Sequence, residues 1–303
     1  MGQLFGSFLI TGRRDVCLTQ FLQVVINGIS IGSAYVLVGL GLTAIYNVYK
    51  IINMAHGEFY MVGAFIAYGA IKMLNLNFFA ALILTMIATA LLGALAERVV
   101  FRPLEGRSDN DKLVMSIGLM FFVRNIMQFF LTANSRYIRS PFGATATVEV
   151  GGIRISIHRI MVIVFACVLV FILQYFYFGT KLGRQMRSVS QRRDTAQLMG
   201  INVKFIGMLS FMIGCALAAF AGAILGSLQT VHTNMGMNAL TISLVSIVLG
   251  GLGSNIGAIA GGLLIGVLQA AGIYYISPLF TDAIVYSIML IVLVVKPTGL
   301  FGG

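Results

Sequence analysis

The sequence predicts an all-α fold: a polytopic helical membrane protein in which about eight to nine transmembrane helices, some of them broken, form a single domain over residues 1–303. Three observations indicate this fold. Hydrophobic residues make up 59% of the chain, and the mean hydropathy of +0.97 exceeds what a soluble core requires. The apolar residues form runs of membrane length between short polar segments. The 35 glycines lie mostly inside these runs, as in helices that pack closely within a bilayer.

The apolar runs divide the chain into nine predicted spans. In order, they are residues 21–46, 58–74, 78–100, 113–133, 159–178 and 204–229, then two spans within 239–275, and finally 280–295. An eight-span arrangement is the alternative. A longer polar loop, residues 134–158, carries turn and strand signals at Ser140-Pro141 and Gly151-Gly152. With nine crossings and the central loop inside, the N-terminus is predicted to lie outside and the C-terminus inside.

Most basic residues lie in the loops between the predicted spans. Twelve are on the predicted inner side and six on the outer side, so the positive-inside bias explains the net charge of +11 without a nucleic-acid partner. Arg124 is different, because it falls in the middle of the fourth predicted span. A charged side chain at the bilayer centre costs on the order of 2.5–3.5 kcal/mol. We therefore expect Arg124 to face the interior of the bundle.

The longest strongly charged interval, residues 180–203, is predicted to be a cytoplasmic loop. Five basic residues fall within thirteen of its positions: Lys181, Arg184, Arg187, Arg192 and Arg193. Leu182, Met186 and Val189 recur at helical spacing, and Gly200 can end a second short helix in a left-handed conformation. The pattern predicts two short helices with an apolar stripe to bury. The segment is either an interfacial loop held by basic residues or a docking element for a soluble partner.

Two pairs of consecutive predicted spans are separated by polar or glycine-rich breaks, NVYKIINMAHGEF and GGLGSNIG. Paired interrupted segments in the two halves of a transporter indicate a substrate route, because broken helices expose backbone dipoles only beside a cavity or other protein. The candidate residues of the translocation pathway are Asn53, His56, Glu58, Gly250, Gly251 and Gly253. The alternative for the first break is a helix start, with Asn53 as its cap and Glu58 in its first turn.

No catalytic set can be assigned, so the chain is not expected to be an enzyme. It has no Rossmann glycine motif after a strand, no P-loop and no H-E-x-x-H motif, so we expect it to bind neither ATP nor another cofactor. His56 and Glu58 alone do not complete a metal coordination shell, and no metal site is predicted. His158 and His232 are interpreted as solvated loop residues. Carboxylates are scarce inside the spans, which favours an external motor over ion coupling.

Four stretches of the sequence resemble a known family. They are GLTAIYNVYKIINMAHGEFYMVGAFIA, TKLGRQMRSVSQRRDTAQLMGINV, VLGGLGSNIGAIAGGLLIGVLQ and KPTGLFG. In this order they resemble the permeases of branched-chain amino-acid ABC importers of the LivH type, from about residue 20 to the end of the chain. The N-x-A-H-G-E run and the Gly-x-x-Arg plus L-x-G-I-N-V loop are specific signatures of that group.

The resemblance implies a multi-pass permease subunit, with the ABC importer permease fold, in the bacterial cytoplasmic (inner) membrane. Its partners would be a second, non-identical permease, two cytoplasmic ATP-binding subunits that hydrolyse ATP, an extracytoplasmic substrate-binding protein and the lipid bilayer. The segment 180–203 would be the coupling loop, whose apolar stripe buries against the ATP-binding subunit. The implied coupling residues are Gly183, Arg184, Arg187, Ala196, Leu198, Gly200, Ile201 and Asn202.

The sequence departs from the family in Arg192-Arg193-Asp194-Thr195, where the family has an acidic or proline-containing run. This departure suggests complementary acidic residues in the groove of the ATP-binding subunit. The resemblance implies a branched-chain or other hydrophobic amino acid as the substrate. One alternative is a permease for urea or short amides of the same group, and another is a carrier or channel without a motor.

Overall fold

The computed structural model describes residues 2–131, 135–138, 140–143, 146–150 and 153–301. Its helices are α1 (Gly2–Tyr49), α2 (His56–Lys72), α3 (Phe78–Ala96), α4 (Asp109–Leu131), α5 (Ile157–Gly179), α6 (Lys181–Gln191), α7 (Arg193–Leu198), α8 (Val203–Leu225), α9 (Met235–Gly250), α10 (Asn255–Tyr275) and α11 (Thr281–Val295). Strands β1 (Thr147–Val150) and β2 (Ile153–Ser156) form an antiparallel hairpin. The hairpin confirms the strand signals of the polar loop, whereas the predicted turn at Gly151-Gly152 lies outside the described residues.

Every predicted span corresponds to a helix, although α1 begins well before the first predicted span. Seven helices in the described part of the chain are long and apolar enough to cross a membrane. Helices α2 and α9 have only 17 and 16 residues, or about 25 Å at 1.5 Å per residue. This is less than the roughly 30 Å of a bilayer core. The polytopic helical fold is confirmed, with seven full spans and two shorter helices among the nine predicted segments.

Helix α8 lies at the centre of the bundle and packs against α1, α2 and α3. Small residues on α8 allow these neighbours to come close. A methyl group on Gly214 would lie 2.7 Å from the carbonyl oxygen of Gly41 on α1, and one on Gly222 would overlap the carbonyl oxygen of Tyr60 on α2. Because α1 and α2 both pack on the same helix, the segment between them is held in place.

Helix α2 begins inside the bundle and not at its end. The imidazole of His56 donates from Nε2 to the carbonyl oxygen of Val38 at 3.2 Å. Val38 lies eleven residues before Tyr49, the last residue of α1, which is about 16 Å along the helix axis. Residues 50–55 therefore run back along α1 before α2 starts.

Helix α9 also begins inside the bundle. After α8, Val231 forms an isolated antiparallel β-bridge with Arg136 of the polar loop. Arg136 N donates to Val231 O at 2.9 Å, and Val231 N donates to Arg136 O at 2.8 Å. Helix α9 then begins, and a methyl group on Gly236 would lie 2.6 Å from the carbonyl oxygen of Gly57. The first turns of α2 and α9 thus meet, and we call residues 56–58 and 235–240 the α2–α9 junction.

The two ends of the bundle carry different elements. At the α6–α7 end, the guanidinium of Arg193 lies 5.7 Å from the ring centre of Tyr49 and donates to Glu105 Oε1 at 2.7 Å. At the opposite, hairpin end, Gln23 Nε2 donates to the carbonyl oxygen of Arg154 at 3.3 Å. The predicted orientation places the α6–α7 end in the cytoplasm.

The prediction that His158 is a solvated loop residue is wrong. His158 lies in the first turn of α5 and is buried. Its Nδ1 is 3.1 Å from Ser140 Oγ, and its Nε2 donates to the carbonyl oxygen of Ile224 at 3.1 Å. The side chain therefore ties the polar loop and α5 to the end of α8. The sequence around His158 shows only a single histidine in a polar loop. It gives no sign that the distant end of α8 covers this side chain.

Candidate functional site

The first break forms a buried polar turn in front of α2. The side chains of Asn53, His56 and Glu58 are all buried. Asn53 Oδ1 accepts a hydrogen bond from Ala55 N at 3.0 Å, and Glu58 lies in the first turn of α2. Asn53 therefore shapes the turn two residues before the N-cap Ala55 and does not cap α2 itself, as the sequence analysis had offered. Glu58 has the position that favours a carboxylate next to a helix N-terminus.

Glu58 pairs with Arg124 on α4. Arg124 Nε donates to Glu58 Oε1 at 3.1 Å, and Nη2 contacts the same oxygen. Arg124 therefore faces the bundle interior, as predicted, and its charge is compensated there. Sequence reasoning missed the pair because the two residues lie 66 positions apart and no local spacing connects them.

Several polar atoms near the first break are buried and have no hydrogen-bond partner within the described part of the chain. They are Asn53 Nδ2, His56 Nδ1 and Glu58 Oε2. An unsatisfied buried group costs about 1–3 kcal/mol, and internal water commonly supplies the missing bond. The start of α2 is thus a polar region inside an otherwise apolar bundle.

A small cavity of about 50 Å³ lies beside the α2–α9 junction. Its lining residues are Tyr35, Tyr60, Gln229, His232, Met235, Asn238 and Ala239. Tyr35 OH donates to Gln269 Oε1 at 2.8 Å, so one wall is held by α10. The sequence analysis did not single out these residues for a pathway, because it placed most of them in or beside the short uncharged link between two predicted spans.

The second break lies at the α6–α7 end. Gly251 and Gly253 have φ angles of 102° and 86°, in the left-handed region that glycine adopts most readily. Asn47 Nδ2 on α1 donates to Gly253 O at 3.1 Å, and Phe301 N donates to Gly250 O at 2.9 Å. The last turn of α1 and the C-terminal segment therefore hold this break.

The two breaks touch where Asn47, the first residue of the first break, donates to Gly253 of the second. Their candidate pathway residues are nevertheless not brought together, because His56 contacts α1 at Val38 and Gly253 contacts it at Asn47, which are nine residues or about 14 Å apart on the helix. What meets inside the bundle is the pair of helix starts at the α2–α9 junction. Among the described residues, no group of three or more His, Cys, Asp or Glu side chains could hold a metal ion.

Helix α6 lies against the bundle through its apolar stripe. Met186 and Val189 are buried, Leu182 is partly buried, and the helix packs on α5, α8 and α1. Thr180 caps it by accepting a hydrogen bond from Gly183 N at 3.0 Å. The expectation that this stripe buries against a partner is wrong, because the chain's own spans cover it. The helical spacing of the apolar residues predicted correctly that one face of α6 is buried. It could not show that α5, α8 and α1 of the same chain cover this face.

Helix α7 presents a different surface. Ala196 is buried, whereas the side chains of Leu198 and Met199 are 88% and 79% exposed. Gly200 has a φ of 79° and ends the helix as predicted. We define the coupling surface by five exposed residues, Arg184, Ser188, Arg192, Leu198 and Met199.

The remaining predicted coupling residues have other positions. Asn202 Oδ1 accepts from Phe205 N at 3.1 Å and caps α8, and Ile201 N donates to Ala196 O at 3.1 Å. Arg187 extends from α6 towards α5, with its guanidinium 4.8 Å from the ring centre of Phe178. Met199 was not among the predicted coupling residues, although its position before Gly200 at the end of a short helix could have indicated exposure.

The family model described as branched-chain amino acid transport system / permease component matches residues 24–293 of this chain. The chain belongs to this family. It is therefore a permease subunit of an ABC transporter and not an enzyme, it is a multi-pass protein of the cytoplasmic membrane, and it works with ATP-binding and substrate-binding partners. The alternative of a carrier or channel without a motor is not favoured.

Curated relatives agree with the family. The chain is 33% identical over 298 residues to the high-affinity branched-chain amino acid transport system permease protein BraD of Pseudomonas aeruginosa, covering 93% of this chain and 96% of BraD. It is 31% identical over 296 residues to LivH of Salmonella typhimurium, with the same coverage of both chains. Each relative is matched almost from end to end.

A solved structure shares the fold. PsaBC from Streptococcus pneumoniae in complex with Fab has a TM-score of 0.51, with 15% sequence identity and 92% coverage of each chain. At this identity the likeness concerns the fold alone.

Proposed function

We propose that this chain is the transmembrane permease subunit of an ATP-driven importer of branched-chain amino acids. Relatives matched over 93% of this chain are named as high-affinity permeases for these substrates, and the family description names the same transport system. The sequence carries no phosphate-binding motif, so ATP hydrolysis is assigned to partner subunits and this chain holds no cofactor. The whole chain acts as one transmembrane domain, with residues 180–203 as its coupling loop.

The observation that carries the proposal is the arrangement of α6 and α7. Helix α6 is anchored to the bundle, while Leu198 and Met199 extend away from it. Two large apolar side chains at such exposure favour a partner that covers them. Arg192 lines the same groove as Met199, and Arg184 is exposed on α6; these two charges favour an acidic groove in that partner. Arg193 does not contribute its charge to this surface, because it pairs with Glu105 inside the chain.

The connections of α6 and α7 support their role as a lever. Thr180 alone separates α5 from α6, and its hydroxyl both caps α6 and donates to Phe176 O at 2.7 Å. On the other side, Asn202 joins the loop to the start of α8. A movement of the ATP-binding subunits would thus reach α5 and α8 through short, hydrogen-bonded links.

The translocation route is assigned to the region around the α2–α9 junction. Its buried polar groups, Asn53, His56 and Glu58, lie where the two shorter helices α2 and α9 start inside the bundle, and transporters use helix ends inside the membrane at substrate routes. The glycines of the second break would act as the hinge at the inner end of the route. A second, non-identical permease completes the pore, two ATP-binding subunits dock at the α6–α7 end, and a binding protein delivers substrate at the hairpin end.

Removing the apolar side chains of the coupling surface should release the ATP-binding subunits. We expect Leu198→Asn/Met199→Asn to reduce their co-purification with the tagged chain about tenfold or more, because buried apolar anchors dominate such interfaces. The amount and melting temperature of the chain should not change, since both side chains are exposed in the chain itself. The measurement is quantitative mass spectrometry of the complex purified from native membranes.

The matched control is Leu279→Asn at the hairpin end, where Leu279 is 83% exposed. This variant should retain the ATP-binding subunits at the wild-type level. Equal retention by the double variant and the control would show that the coupling surface is not where these subunits bind.

A further inference from the structure

A polar surface is exposed in the chain near the start of α9. Asn238 and Gln229 are both exposed, and neither side-chain amide forms a hydrogen bond with the described residues. The exposed residues of α3, by contrast, are all apolar. An apolar face suits contact with lipid, whereas an amide without a partner is costly to place in hydrocarbon.

This polar surface lies near the middle of the membrane. Asn238 precedes Gly250 by twelve residues on α9, and Tyr35 precedes Asn47 by twelve residues on α1; both distances are about 18 Å. Asn47 and Gly250 lie at the α6–α7 end, and Tyr35, Gln229 and Asn238 line the small cavity beside the α2–α9 junction. The hydrocarbon core of a bilayer is roughly 30 Å thick. Lipid at this depth offers the two amides no hydrogen-bond partner, so they face water, a solute or protein.

The small cavity beside Asn238 favours a hydrated pathway. Its volume of about 50 Å³ leaves room for water. Tyr60 and His232 also line it, and their side chains form no hydrogen bond with the described residues. The hydroxyl of Tyr60 is unpaired without being fully covered, so it opens onto this space. Unpaired polar groups on several sides of one opening favour water over apolar neighbours, which would leave them without partners.

The lining of the cavity suits a zwitterion. No Asp, Glu, Lys or Arg is found among the lining residues that the structure describes. The amides of Asn238 and Gln229 each carry donor N–H groups and an acceptor oxygen, so one amide can bind a carboxylate and the other an ammonium. Met237, which is 43% exposed beside Asn238, is a flexible apolar side chain that adapts to different hydrophobic shapes.

We propose that Asn238 and Gln229 bind the carboxylate and the ammonium of an amino acid with an apolar side chain as it passes through the membrane. The cavity in this chain is too small to enclose an amino acid, so the opposite wall belongs to the second permease. The choice of an amino acid as the solute rests on the proposed function, whereas the depth and polarity of the surface do not.

The first test is the reaction of Asn238→Cys with a charged, membrane-impermeant thiol reagent in vesicles that contain the importer complex. We expect labelling at least tenfold faster than that of Ile87→Cys, because the reacting thiolate forms in water and not in lipid. Ile87 is 56% exposed on α3. It lies about 15 Å along the helix from Glu97, which accepts a hydrogen bond from Tyr49 at the α6–α7 end, so the two positions have similar depth.

Labelling of each variant is counted above that of the wild-type chain, and leucine supplied with the binding protein should slow the labelling of Asn238→Cys. Equal rates for the two cysteine variants would overturn the proposal, since Asn238 would then face lipid or be packed against protein.

The second test is ATP-driven leucine uptake. Asn238→Leu should reduce it about tenfold or more, because the variant loses a hydrogen bond to a charged group of the substrate. The melting temperature and the amount of bound ATP-binding subunits should not change, since the amide has no partner among the described residues. Asn125→Leu is the matched control. Asn125 is exposed on α4 and donates to Phe121 O of its own helix at 2.7 Å, so this variant should keep wild-type uptake.

Leucine uptake by the wild type together with equal uptake by the two leucine variants would overturn this site and leave the proposed function standing. Absence of ATP-driven leucine uptake by the wild-type complex would contradict the proposed function itself, and this site with it.

Discussion

Arg124→Met is expected to destabilise the chain by about 3–5 kcal/mol, because it leaves the carboxylate of Glu58 buried without its partner. Glu58 is 1% exposed, whereas the side chain of Arg124 is 17% exposed, so the glutamate has no route to solvent. Helix α4 packs little on the rest of the bundle, and this ion pair is its main polar link to α2. Thermal denaturation of the purified chain in detergent, followed by gel filtration, measures the loss.

The double variant Glu58→Gln/Arg124→Met should recover much of that stability, since it removes the buried charge as well as its partner. The comparison pair is Arg154 and Glu149 in the hairpin, whose side chains are 74% and 57% exposed. Arg154→Met should change stability by about 1 kcal/mol at most. If Arg124→Met and Arg154→Met melted at the same temperature, the pair between α2 and α4 would have no structural role.

Gly57→Ala is expected to destabilise the chain by about 3 kcal/mol, at the upper end of the effect of overpacking. The added methyl group would overlap the carbonyl oxygen of Gly236 and lie 2.6 Å from Leu240 Cβ. These contacts are mostly with backbone, so no side-chain rotation relieves them. The starts of α2 and α9 would be pushed apart, and transport should be lost together with stability.

Gly69→Ala provides a matched control on the same helix. No described atom lies within 4 Å of the position where its methyl group would be, and alanine favours a helix over glycine by roughly 0.5–1 kcal/mol. This variant should therefore be at least as stable as the wild type in the same melting experiment. Similar melting temperatures for the two variants would contradict the close approach of α2 and α9.

Local patterns were sufficient to predict the helices and much of the coupling loop. Runs of apolar residues located every span, because a bilayer imposes its thickness on the sequence. The spacing of Met186 and Val189 predicted α6, and Gly200 marked the end of α7. These signals depend on neighbours within one or two turns, which a sequence displays directly.

Contacts between distant segments could not be predicted in the same way. The partner of Arg124, the covering of His158 and the surface beneath α6 all depend on how helices are arranged in space. The re-entry of residues 50–55 was missed for the same reason, because a polar break looks alike whether it lies at the end of a bundle or inside it. The sequence thus identified the candidate pathway residues as one set. Only the structure showed that Asn53, His56 and Glu58 lie inside the bundle, whereas the glycines of the second break lie at the α6–α7 end.

The most direct test of the account is uptake of labelled leucine into vesicles that contain the chain with its co-purified subunits, supplied with the binding protein. The account predicts uptake that requires ATP and that is lost in Leu198→Asn/Met199→Asn while the chain remains folded. Leucine uptake by the chain alone, without ATP or any partner, would contradict it.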